Sequence, residues 1–388
     1  MPGSVRSREP APSDEDVRSP ASARVVVLCV FLLFGISLTM LVSIGIGQQN
    51  PLHYPVRQAI WGIVALGSGI VTACIPVNYW RKGMPWMCVL AIILLLMARL
   101  VGRNIFGAHR WLSLGPINFQ PSELAKLSAI LWVAVWLSVY RRRAQEFVRG
   151  FLLPAAGLGV LCLMVLIGPD YGTTMLIGGT GMLIMYFGGS RVIYLLGAAG
   201  IAGTGMGFLI YHNPERLSRV TSFLNPEKYA DDASYQLMNS LYAFIEGGLW
   251  GKGIGQSLQK FSYLPEAHTD FILAILAEEF GLVGVGIVLV LYLALFIAGM
   301  HISLRCKDSF ARMTGFGITA LITLQAVINV GVVTGSMPTK GLPLPFVSYG
   351  GSSLVFTSVM VGILIRIANG GGRSDEQTRT LRGSQQWI

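Results

Sequence analysis

Charge is what this sequence has least of. Of its 388 residues, 19 are Asp or Glu and 29 are Lys or Arg, together 12% of the chain. A soluble domain carries about 25% charged residues, so a fold wrapped in a water-facing surface is excluded. Cysteine is scarce as well. The five (Cys29, Cys74, Cys88, Cys162 and Cys306) are scattered with no metal-like pair, which speaks against a disulfide framework. The signatures of soluble enzymes are missing too: no His-Glu-x-x-His, no P-loop and no serine nucleophile elbow. The Gly run 247–255 lacks the Lys-Ser/Thr pair of a nucleotide loop.

What is present is apolar length. Hydrophobic residues make up 53% of the chain, and mean hydropathy is +0.60. A bilayer-spanning helix needs about 20 mainly apolar residues. Such runs fall at 25–46, 57–78, 84–101, 121–140, 150–168, 173–189, 192–211, 271–300, 309–334 and 351–368. The fold class expected is therefore an all-α polytopic membrane protein of about ten spans, with a large loop, 212–270, between spans seven and eight. Residues 1–23 and 370–388 read as polar cytoplasmic tails, the first rich in Pro, Ser and charge and expected to be disordered. The run beginning at Val25 is too long for a signal peptide. Residues 24–369 form the membrane domain.

Ten spans place both termini on one side, and basic residues decide which. With the termini inside, the inner segments hold 18 of the 29 Lys and Arg, the outer segments ten, and Lys126 lies within the fourth span. The positive-inside rule then puts both termini in the cytoplasm. The net charge of +10 is accounted for by this topology signal, and no nucleic-acid partner is expected. The outer side is still basic enough to need a reason. Lys252 reads as a solvated loop lysine. The stretch "YQLMNSLYAFIEGG" suits an amphipathic surface helix.

Titratable groups gather at the outer edge. "LPEAHTDFI" (264–272) puts Glu266, His268 and Asp270 beside an apolar run. A carboxylate there is partly desolvated, which raises its pKa and suits general-base work. A helix N-cap explains Asp270 equally well by position alone, but capping needs neither neighbour. Asp170 in "GPDYGTTM" is ordinary turn chemistry. In "QPSELAKL", Pro121 and Glu123 suit a helix start, and Lys126 can pair with Glu123 three residues away. Lys126 nonetheless lies a turn into lipid depth, where an ionisable group is a functional candidate. Arg110 beside Trp111 reads as a snorkelling anchor or a phosphate cation. "GSMPTKGLPLPFVSYGGSS" (335–353), with three prolines and four glycines, cannot be regular helix. Such backbone survives at membrane depth only where protein buries it or a cavity is lined, and Lys340 within it makes an anion site. Glu278 and Glu279 fall within the eighth span, about 12 Å below Asp270 by helical rise. One carboxylate with several cations at an outer rim suits a lipid-linked phosphate or diphosphate.

Four blocks carry a family resemblance: "GAHRWLSLGPINFQPSELAK", "GPDYGTTM", "LPEAHTDFILAILAEEFG" and "PTKGLPLPFVSYGGSS". They resemble, in family order, the SEDS family (shape, elongation, division and sporulation). The resemblance implies a peptidoglycan glycosyltransferase at the outer face of the bacterial cytoplasmic membrane. It would polymerise lipid II, an undecaprenyl-diphosphate-linked disaccharide peptide. A class B penicillin-binding protein would be its partner, with other divisome membrane proteins and membrane lipid around it. "PEAHTDF" and "PTKG" are more similar to the division-type than to the elongation-type members, which implies septal synthesis. His109, Asn239, Ser336 and Leu273 depart from the usual pattern without removing any implied catalytic group. By resemblance Asp270 is catalytic. Arg110, Glu123, Lys126, Glu266, His268, Thr269, Lys340 and Ser348 line the substrate site. No cofactor is fixed, a divalent cation (Mg or Mn) on the diphosphate being the one candidate. Two other readings remain, a lipid II flippase and a division scaffold. A flippase needs ionisable groups along a path through the bilayer, whereas these gather at one face, and a scaffold has no use for Asp270.

Overall fold

The computed structural model describes residues 19–46, 50–105, 108–114, 117–224, 234–261, 264–338 and 341–370. Twelve helices cover most of them: α1 (Pro20–Ile46), α2 (His53–Cys74), α3 (Val77–Val101), α4 (Pro121–Val139), α5 (Leu153–Ile167), α6 (Tyr171–Phe187), α7 (Val192–Tyr211), α8 (Pro214–Leu224), α9 (Tyr235–Gly247), α10 (Ile272–Arg305), α11 (Ser309–Val333) and α12 (Gly351–Ala368). Among the described residues, nine helical segments are long and apolar enough to cross a membrane, α5 among them with its lead-in turn Phe147–Leu152. The tenth expected span, α6, has 17 residues and packs inside the bundle against α4, α5 and α11. All ten expected runs are helical. The protein is a multi-pass membrane protein.

Lipid explains the inverted surface. With no water to solvate free amides, the chain satisfies its backbone inside helices, and large apolar side chains such as Ile63, Leu100 and Ile201 remain outside, more than 70% exposed. The inner layer is α4, α11 and the start of α10. Nearly every residue from Pro121 to Ala134 is buried, whereas α7 buries only Leu195. Where α2 meets α12, a side chain at Gly362 would collide with the Gly69 carbonyl at 2.4 Å, so glycine lets the two backbones approach.

Two features depart from the expected pattern. Residues 103–119 hold a small antiparallel sheet, β1 (Arg103–Ile105), β2 (Ala108–Leu114) and β3 (Ile117–Phe119), in the order β1-β2-β3. Leu112 pairs with Phe119 and Leu114 with Ile117. The all-α class expected from the sequence holds, and these short hairpins are a local addition that closes the gap between α3 and α4.

The second departure is a break in α10 at Gly281, whose φ of 67° and ψ of −168° are not helical. The freed backbone groups are taken up by the Gly-rich loop after α9. Lys252 N and Gly253 N donate to the Glu278 and Glu279 carbonyls, and Leu282 N and Val283 N donate to those of Gly248 and Leu249. Any Cβ at Gly281 would meet the Leu249 carbonyl oxygen at 2.3 Å. The break also sets depth. The Asp270 carbonyl accepts from Asn329, four residues before the end of α11. Glu279 accepts from Ser43, three residues before the end of α1. Both ends of segment 272–280 therefore lie about 5 Å inside the same rim. The segment crosses the bundle near that rim instead of descending. The expectation that Glu278 and Glu279 lie below Asp270 is corrected accordingly. Residues 282–305 span alone, with about 36 Å of helix.

Candidate active site

Asp270 sits in the turn between the outer loop and α10, where the rims of α2, α4, α6, α11 and α12 converge. The residue is half-buried. Among the described residues no group donates a hydrogen bond to its carboxylate; Asn329 Nδ2 reaches its main-chain carbonyl instead, at 2.9 Å. The same amide donates to the Leu342 carbonyl at 2.9 Å. One turn along α11, Gln325 Nε2 donates to the Pro343 carbonyl at 2.7 Å. Side chains four apart lie on one helix face, so α11 grips the turn of Asp270 and the loop 341–350 together.

That loop is locked on its other side. Ser348 Oγ accepts from Leu344 N at 2.8 Å and donates to the Thr269 carbonyl at 2.5 Å. Tyr349 N donates to the His268 carbonyl at 3.0 Å. Thr269 Oγ1 donates to the Glu266 carboxylate at 2.8 Å. Glu266 itself has a φ of 55°, in a region non-glycine residues rarely adopt. His268 stacks on Tyr54 with 4.5 Å between ring centroids.

Burial, the nearby Glu266 charge and the Asp170 charge together push the Asp270 pKa up from 3.8 to about 7. Burial also pulls His268 below its ordinary 6.5, with Glu266 opposing, so the imidazole is largely neutral near pH 7. Gly341 lies directly over the carboxylate: a Cβ there would stand 3.3 Å from Asp270 Oδ2.

The expected cations have different surroundings. Lys126 is 1% exposed. It pairs with Glu123 at 2.7 Å and donates to Gln325 Oε1 at 3.1 Å. The pair faces protein and sits beneath the loop, reaching it through Gln325. Arg110 spends Nε and Nη2 on the carbonyls of Gly168 and Pro169, at 3.2 and 2.5 Å. Arg216 donates to Pro169 as well and lies 3.4 Å over the Tyr171 ring. Together they hold the turn that carries Asp170. Lys340 lies outside the described residues.

Three contributors (Asn329, Gln325 and Tyr54) were not singled out from sequence, and a fourth, Asp170, was read there as a turn residue. Asp170 caps α6 by accepting from Thr173 N at 3.1 Å, yet it also faces Asp270 closely enough to raise its pKa. Asn329 and Gln325 are buried polar residues within α11. Tyr54 lies in the first turn of α2, against His268. Lys252, expected to be a solvated lysine, pairs with Glu246 and with Glu278 at 3.3 Å, and the Glu246 hydrogen bond raises its pKa.

Carboxylates gathered at a rim, one of them near pH 7 and free of donors, can accept a proton from a hydroxyl. Among the described residues, no three His, Cys, Asp or Glu side chains converge to hold a metal ion. Comparison with known proteins gives this arrangement its relatives. Residues 22–371 match the sequence family described as "Cell cycle protein", which takes in FtsW, RodA and SpoVE. A "Probable peptidoglycan glycosyltransferase FtsW" of Legionella pneumophila is 38% identical over 88% of this chain and 88% of its own. A protein of the same description from Escherichia coli is 38% identical over 89% and 85%. Among solved structures, a chain from "Structural coordination of polymerization and crosslinking by a peptidoglycan synthase complex" superposes with a TM-score of 0.75. It is 25% identical and covers 92% of this chain and 99% of its own. The rod shape determining protein RodA of Thermus thermophilus is 24% identical, with a TM-score of 0.67 over 92% and 98%. On these matches the chain belongs to the FtsW, RodA and SpoVE family of cell cycle proteins, the SEDS family its motifs resemble.

Proposed function

We propose that the protein is a peptidoglycan glycosyltransferase that polymerises lipid II, with Asp270 as the general base. The observation that carries this reading is the state of that one residue: Asp270 is half-buried at the rim, and its carboxylate has no donor among the described residues and a pKa raised to about 7. A base poised near the working pH combines availability with driving force. Asp270 takes the proton of the GlcNAc 4-hydroxyl of one lipid-linked chain. The freed oxygen bonds to the anomeric carbon of MurNAc on the other, the bond to the diphosphate oxygen breaks with inversion, and undecaprenyl diphosphate leaves. General-base help is worth about 10²–10⁴ in rate.

The remaining site residues divide by contact. Glu266 and Asp170 set the charge around the base. His268, Thr269 and Ser348 hold its loop, and Glu123 and Lys126 brace that loop from below. Arg110 and Lys340 are the cations assigned to the leaving diphosphate, where electrostatic stabilisation is at least comparable to the base's contribution. A divalent cation, Mg or Mn, would arrive on the substrate's diphosphate, because the described donor set offers no cage of its own.

The family names of the relatives favour a septal role in cell division over rod elongation. Under this reading the site rim faces outward from the bacterial cytoplasmic membrane, both termini are cytoplasmic, and a class B penicillin-binding protein is the partner. The outer loop 212–270 is its proposed contact, being the only outer segment long enough to bury about 800 Å².

The test is polymerisation. Purified protein with its partner is incubated with labelled lipid II and the glycan strands are resolved on a gel. Strands from the parent protein and none from Asp270→Asn support the proposal. An Asp270→Asn variant above about a tenth of the parent rate overturns the base assignment, because that role is worth at least about 10².

A further inference from the structure

On the face opposite Asp270, where α4, α6 and α10 end and α11 begins, the bundle opens into a cavity of about 570 Å³. Its polar wall is made of Arg141 and Arg142, which follow α4, and Arg312, in the first turn of α11. Its apolar wall is made of Phe187, Leu304 and Met313. Nothing in the proposed reaction uses this cavity, which is a membrane thickness away from the reacting groups.

The charge balance there is uneven. Two carboxylates lie close in sequence, and each is engaged by an arginine that does not line the cavity. Glu146 meets Arg143 at 3.7 Å. Asp308 takes both its oxygens to Arg81 Nη2 at 2.8 Å and accepts from Ala311 N at 3.0 Å. Arg312 gives Nε to the Cys306 carbonyl at 2.9 Å, which fixes its direction without neutralising it. Among the described residues, no carboxylate comes within ion-pair distance of Arg141, Arg142 or Arg312. Three guanidinium groups thus share one cavity, with no carboxylate of the described residues paired to them.

The cavity also has a side door. Leu304 is 58% exposed and faces outward from the end of α10, on a surface that elsewhere meets lipid. Phe187 is anchored by stacking on Phe316 at 4.2 Å between centroids, so the apolar wall is fixed. A ligand that satisfies both walls carries a phosphate at the level of the helix ends and hydrocarbon below it. Basic pockets between helices at this depth suit anionic lipid headgroups, and a planar guanidinium matches phosphate oxygens.

We infer that this cavity is a binding site for one anionic diacyl phospholipid, its phosphate held by Arg141, Arg142 and Arg312 and its chain lying past Leu304 and Met313. A soluble phosphorylated metabolite shares the phosphate but leaves the apolar door unused, and the two sources separate experimentally. The inference rests on the chain being a membrane protein and not on the proposed reaction.

The experiment is native mass spectrometry of the full chain released from detergent. It is titrated separately with phosphatidylglycerol, phosphatidylcholine and water-soluble glycerophosphoglycerol. The expected result is a single saturable phosphatidylglycerol adduct, at least tenfold tighter than phosphatidylcholine, with no glycerophosphoglycerol adduct over the same range. The triple variant R141Q/R142Q/R312Q loses that preference tenfold or more, whereas R191Q, which removes an arginine from the same face outside the cavity, keeps it. Equal binding of the two lipids, an equal loss in R191Q, or saturation by glycerophosphoglycerol alone would overturn the site. Should the triple variant fail to fold, Leu304→Arg and R142Q, tested singly, take its place: retention of the full preference in both overturns it as well.

Discussion

A raised carboxylate has opposite consequences for activity and for stability. The Asp270 proton is held more tightly in the folded chain than in the unfolded one, between pH 3.8 and about 7. In that window the folded state binds more protons, so stability contributed by this group falls as pH rises. Activity moves the other way, because only the ionised form accepts a proton. The rate with lipid II should therefore climb about tenfold per pH unit below 7 and level off above it. A flat profile from pH 5 to 8 would remove Asp270 as the base. Gly341 offers a second test at this scale. Gly341→Ala puts a methyl 3.3 Å from Asp270 Oδ2, closer than most real contacts, on an exposed loop residue. The turnover number should fall several-fold while the thermal midpoint stays within about 2 °C, since surface substitutions usually change stability by less than about 0.5 kcal/mol. Asp270 stood out as a candidate through its titratable neighbours at the edge of an apolar run and through the motif resemblance, since position alone fits a helix N-cap equally well. Asn329 was not: a polar residue inside a span can face a neighbour, a cavity or its own backbone, and spacing does not say which.

At the scale of elements, hydrophobic length was enough to find every span, because lipid leaves the backbone no alternative to a helix. The break in α10 was hidden by the same signal. Apolar residues run unbroken on both sides of Glu278-Glu279, and a glycine in a membrane helix is unremarkable until its dihedrals are known. The sheet at 103–119 was hidden for another reason, since strands of three to seven residues are too short to show a period. What the break requires is chemical closure. Glu279 is buried against Lys260 at 3.3 Å, with Ser43 Oγ and Ser257 N donating to the same carboxylate oxygen. Glu278 accepts from Ser257 Oγ, Leu258 N and Gln259 N. Removing one partner of a buried pair costs about 3–5 kcal/mol, whereas replacing both with apolar groups is often neutral. Lys260→Ala should thus lower the thermal midpoint in detergent markedly. Lys260→Met combined with Glu279→Leu should recover much of the loss. If the double variant is no more stable than the single one, the pair is not what closes the break.

At the scale of the whole molecule, the two faces of the bundle differ in chemistry. One carries Asp270, Asp170, Glu266 and the loops that fix them. The other carries Arg141, Arg142, Arg143, Arg305, Lys307 and Arg312, in turns too short to cross a bilayer against their charge. Orientation follows from that asymmetry. Short loops dense in Lys and Arg are expected in the cytoplasm, so the proposed orientation has the carboxylate face outward, the side on which a lipid-linked sugar would be polymerised. The structure supplies reporters for both faces. Cys74, at the end of α2 away from Asp270, is exposed, while Cys29, Cys88 and Cys306 are buried and Cys162 is partly covered. Gln256, in the loop that seats the α10 break, is exposed on the other face. Gln256→Cys should react with a membrane-impermeant thiol reagent in intact cells (spheroplasts, where an outer membrane intervenes), and Cys74 should react only after the membrane is permeabilised. Labelling of Cys74 alone in intact cells would reverse the orientation and place Asp270 on the cytoplasmic side. Polymerisation of lipid II at the outer surface could not then be its task, whatever the enzyme did in detergent.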